Sequence, residues 1–99
     1  MLNCELVHLR QQIDSIDEAL VELLGRRFRV TRDVGRLKAT SGLGPIDAAR
    51  EAAQERRLRS LAVQHGVNPG VVLLIFRTIV DEVVSNHRSI AATDESSST

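Results

Sequence analysis

Ninety-nine residues make one small domain, a length at which a hydrophobic core is marginal unless a partner helps to build it. Thirteen basic residues balance thirteen acidic ones, which excludes the broad positive surface that draws a domain onto nucleic acid or anionic lipid, so any anion must be gripped locally. Two phenylalanines, no tryptophan and no tyrosine, among many Ala, Leu, Arg and Glu, give a helical composition with few strand-favouring residues.

The apolar residues of the first half, Leu6, Leu9, Ile13, Ile16, Leu20, Leu23, Val30, Val34 and Leu37, recur at steps of three and four, and the one position that breaks the row is Arg27. No proline interrupts the segment, and Gly25 and Gly35 each cost about 1 kcal/mol relative to alanine, which a long apolar row can absorb. The spacing predicts one helix from about residue 5 to residue 40, roughly 50 Å long. A compact domain of this size has a radius of gyration near 13 Å, or about that. The helix should therefore overhang its own chain, and an intertwined homodimer is expected.

The segment "TSGLGP" ends that helix, and a second is expected from about residue 47 to about residue 65, where Gly66 provides a stop. In "GVNPG", Asn68 suits a cap and Pro69 the first helical position. A third helix should run from about residue 69 to about residue 90, its apolar stripe taking in Val72, Phe76, Val80 and Val83 and then His87. The closing "AATDESSST" has nothing to bury and is expected to be a disordered polar tail outside the domain of residues 1–90. The expected fold is all-α, three helices doubled by a second copy. A single cysteine, Cys4, rules out an internal disulfide. No leader is evident, and the run from Val71 to Phe76 is far shorter than the roughly 20 residues of a membrane span. A cytoplasmic protein with no membrane partner is the expectation.

Four sets of polar residues stand out. A buried arginine needs something negative beside it, so Arg27 calls for an internal carboxylate or a bound anion unless it snorkels to the surface. Lys38, eleven residues on, lies only about 20° further around the helix, and Arg27, Thr31, Val34 and Lys38 form a stripe without an adjacent acid. In "PIDAAREAA", Asp47, Arg50 and Glu51 share a face; Asp47 could simply cap the helix and Arg50 make a surface ion pair, yet the flanking alanines allow close approach and a polar crevice. His87 lies on an apolar stripe, where histidines are commonly satisfied core residues. Its surroundings have no metal-ligand spacing, with His8 and His65 on other elements, so no metal is expected. Arg10 is about 25 Å along the helix from Arg27 and about 100° around it, too far to share one small ligand within a chain but not across an antiparallel dimer.

Together, "LRQQIDSIDEALVELLGRR", "VGRLK" and "DAAREAA" resemble the helical chorismate mutase family, in particular its small single-domain and actinobacterial-like members, over residues 6 to 90. The resemblance implies an intertwined helical dimer that converts chorismate to prephenate, on the route to phenylalanine and tyrosine, without cofactor or metal. It implies that Arg27 holds one substrate carboxylate and Arg10 of the partner subunit the other, with Lys38 directed at the ether oxygen and a carboxylate. Asp47 and Glu51 would meet the ring hydroxyl, Arg50 would extend the cationic wall, and Val34 and Val80 would press on the substrate. Two positions depart from the common family pattern: Val83 stands where a serine is usual, and His87 where a glutamine meets the ether oxygen. Relatives acting on 4-amino-4-deoxychorismate, or on isochorismate with loss of pyruvate, would carry a similar cationic wall. A non-catalytic helical dimer would keep the apolar row but has no use for Arg27 and Lys38. A DNA-binding regulator does not suit the balanced charge.

Overall fold

The computed structural model describes the backbone of residues 2–42 and 47–97, and the side chains of residues 3–42 and 47–89. Most of the expected break (43–46), and the side chains of the expected tail (91–99), lie outside the described residues. Three helices account for the rest: α1 (Leu2–Thr40), α2 (Ala48–Gln64) and α3 (Pro69–Ser97), and no strand occurs among the described residues.

α1 begins three residues earlier than the periodicity suggests, because Leu2, Asn3 and Cys4 contain nothing that breaks a helix. It ends where Ser41 N–H donates to Leu37 O at 3.0 Å and Gly42 turns to φ +73, a left-handed conformation that glycine adopts without penalty. α2 starts from Asp47, whose backbone is extended and whose carboxylate accepts the Arg50 N–H at 3.0 Å. Glu51 in the first turn complements the positive end of that helix.

The turn between α2 and α3 is closed by a pair of bonds, Gly66 N–H to Val63 O at 3.2 Å and Val67 N–H to Ala62 O at 2.8 Å, with Gly66 at φ +69. α3 then starts as its sequence suggests: Pro69 is the first helical residue, and the Asn68 side chain accepts the Gly70 N–H at 2.8 Å. The helix continues past residue 90 to Ser97. That stretch lacks proline and glycine, and helical hydrogen bonds are local, so the backbone can continue without an apolar stripe.

The chain divides into two units, Met1–Thr31 and Arg32–Thr99. The first is helix alone, and the apolar row from Leu6 to Val30 is exposed along it, by between 44% and 62% for its members Leu6, Leu9, Ile13, Ile16, Leu20, Leu23 and Val30. In the second unit α2 lies against α3, with Leu58 and Ala62 of α2 and Ile79 of α3 buried. Among the described residues no helix is long and apolar enough to cross a membrane, and no cluster of His, Cys, Asp and Glu could hold a metal ion.

Ala62 is only 2% exposed and marks the close approach of α2 to its surroundings. Ala62→Leu should therefore overpack this contact and destabilise the fold by about 1–3 kcal/mol, read as a lower urea midpoint at unchanged slope. An unchanged midpoint would show that the space around Ala62 is not tightly filled.

Candidate active site

Within the second unit the most constrained polar residue is His87. It is buried on α3, Nδ1 included, and its ring abuts α1 at Gly35, itself buried. A β-carbon built on Gly35 would lie 2.5 Å from His87 Cδ2, 3.0 Å from Nε2 and 3.2 Å from Cγ. Lys38, half-buried, stands three residues further along α1, one turn away on the same side. Val34 is adjacent and 41% exposed. The fold thus brings the ring of His87 to the turn of α1 that carries Lys38, although periodicity alone had placed them on separate helices.

A second feature lies between α2 and α3. Glu51 and Val80 line an open cleft of about 680 Å³ together with Asp81, Ser85 and Arg88. Both also line a second cleft, of about 400 Å³, that takes in Leu58, Phe76 and Arg77. These volumes are in the range of small-molecule sites. With two carboxylates and one guanidinium, the larger cleft is no trap for a dianion; it suits the end of a ligand that donates hydrogen bonds. Asp81, Ser85 and Arg88 were not singled out from the sequence. Their spacing of four and three residues on α3 was the available signal, since it places them on one face.

The remaining positions are more open. Asp47 is exposed, with one carboxylate oxygen engaged in the cap of α2, and Arg50 and Glu51 are exposed beside it. Ala48, Ala49 and Ala52 are exposed as well, so the close approach that their small size allows is not made among the described residues. Val83, where the family pattern has a serine, is half-buried one turn before His87. In the first unit, Arg10 is exposed, whereas Arg27 is half-buried and its Nη1 fully so. A guanidinium removed from water in this way is stable only with hydrogen bonds or negative charge to compensate.

Within the second unit, then, Lys38 stands one turn beyond the seat of the His87 ring, and Asp47 and Glu51 place carboxylates at the start of α2. The chain is 37% identical over 78 residues to the T-protein of Enterobacter agglomerans, a match covering 79% of this chain and 21% of that protein. It is 29% identical over 77 residues to the chorismate mutase of Methanocaldococcus jannaschii, covering 78% of each. To the bifunctional chorismate mutase/prephenate dehydratase of Escherichia coli it is 28% identical over 85 residues, 86% of this chain and 22% of that protein. The chain thus spans about a fifth of the two longer relatives and most of the archaeal one. Residues 9–88 match the family described as chorismate mutase type II, a span that contains every site position named above, and the chain belongs to that family.

Proposed function

We propose that this chain rearranges chorismate to prephenate as an intertwined homodimer in the cytoplasm, with residues 1–90 forming the working domain. The observation that carries the reading is the family match across residues 9–88, a span in which Arg10, Arg27, Lys38 and His87 lie. The reaction breaks a carbon–oxygen bond as a carbon–carbon bond forms within one molecule, so no nucleophile, proton carrier or cofactor is required. What the protein must do is hold a flexible dianion in its compact form and stabilise negative charge growing on the ether oxygen.

Arg27 and Arg10 of the partner subunit hold the two carboxylates, a task suited to their forked donors. Lys38 and His87 donate hydrogen bonds to the ether oxygen, and Asp47 and Glu51 accept from the ring hydroxyl. Arg50 adds to the positive wall, while Val34, Val80 and Val83 exclude water. The position of Glu51 and Val80 in one cleft supports this division of labour. The exposed apolar row of the first unit supports the dimer, because such a patch on a soluble helix calls for cover.

With chorismate, the purified protein should yield prephenate on chromatography; unchanged substrate, or salicylate and pyruvate, would overturn the assignment. Arg27→Ala and Lys38→Ala should each lower turnover by about 100-fold or more at unchanged molecular size, and a variant within a few-fold of wild type removes that residue from its role. His87→Ala should lower turnover by about 10-fold or more at unchanged molecular size, and a variant within a few-fold of wild type would release His87 from the ether oxygen. Light scattering should report twice the chain mass of 10.9 kDa. Ile16→Asp, in the exposed row, should abolish that dimer, and an unaffected dimer would place the interface elsewhere.

A further inference from the structure

We propose that Gly35 is a positioning residue whose missing side chain forms the seat of the His87 imidazole, holding the ring at the turn of α1 that presents Lys38. The proposal rests on the functional reading above and adds to it a residue that touches no substrate.

Three observations carry it. First, the contact is tight: the place where a β-carbon would stand is 2.5 Å from His87 Cδ2 and 3.2 Å from Cγ. These are atoms of a rigid ring close to its own backbone, and no end-of-chain adjustment relieves such an overlap. Either the whole ring swings away or α3 moves off α1. Second, the backbone does not need glycine there. The positive-φ glycines among the described residues are Gly42 and Gly66, so Gly35 has ordinary helical geometry that alanine adopts more readily. Third, α1 contains its own control. At Gly25 the nearest atom to a built β-carbon is Arg29 Nη1 at 3.5 Å, an ordinary contact with the end of a flexible side chain. Helical preference disfavours both glycines, but at Gly35 a specific neighbour excludes the alternative.

A hydrogen-bond donor displaced by an ångström loses both distance and alignment to its acceptor. Gly35 thus acts through His87, and its effect should vanish when the ring is gone.

The test is a double-mutant cycle in the full chain, with kcat and KM for chorismate, helix content and molecular size measured for Gly25→Ala, Gly35→Ala, His87→Ala and the Gly35→Ala/His87→Ala pair. Gly25→Ala should match wild type. Gly35→Ala should lower kcat by about 10 to 100-fold with little change in KM, and the double variant should be no slower than His87→Ala, within about two-fold. The proposal is overturned if Gly35→Ala keeps wild-type kcat, if His87→Ala does, or if the two losses multiply in the double variant. Should Gly35→Ala fail to fold, recovery of helix content and size in the double variant supports the ring as the clashing group, and failure of both to fold overturns it. A wild-type protein inactive on chorismate is seen before any variant is compared; it refutes the functional reading itself, and the positioning role with it.

Discussion

An apolar stripe along a helix has to be covered by something outside that helix, because a helix satisfies its own backbone but cannot bury its own side chains. In this chain the first unit is helix and nothing else, and the row from Leu6 to Val30 is left open to solvent by its own residues. The rest of the molecule is organised around that constraint. α2 and α3 bury Leu58, Ala62 and Ile79 with a short closed turn between them, a core far too small to cover a helix of 39 residues as well.

This arrangement suits a reaction that asks only for shape and charge. Net charge is balanced over the chain, so the proposed grip on a dianion would rest on a few local cations, with little help from a long-range field. In the proposed site, a histidine at residue 87 would change how the donor is held. A glutamine is a flexible amide that can adapt to its surroundings; an imidazole is a rigid plate that needs a flat place to lie. The valine at residue 83 adds no polar group one turn before it, and the ring packs against Gly35 of α1.

Much of this was legible in the residues. Steps of three and four located α1, while Gly66, Asn68, Pro69 and Asp47 marked helix ends through requirements that are local to a few residues. The continuation of α3 to Ser97 is not legible in the apolar pattern, because helical hydrogen bonding does not depend on an apolar stripe. Gly35 was read only as a tolerable cost, since periodicity reports which face a residue occupies and never which residue on another helix will oppose it. Asp81, Ser85 and Arg88 were overlooked for a related reason: as single polar residues on a helix they look like solvent-facing ones until α2 supplies the other wall.

Asp47 is held at the start of α2 by a backbone donor at 3.0 Å. A free aspartate would have to give up rotational freedom to receive a ligand's hydroxyl. Here the helix has already removed that freedom, and the carboxylate oxygen not used by the cap keeps a set direction before any ligand arrives. In the proposed site, helix capping and recognition by Asp47 would be one act of preorganisation, in which folding lowers the entropy lost on binding.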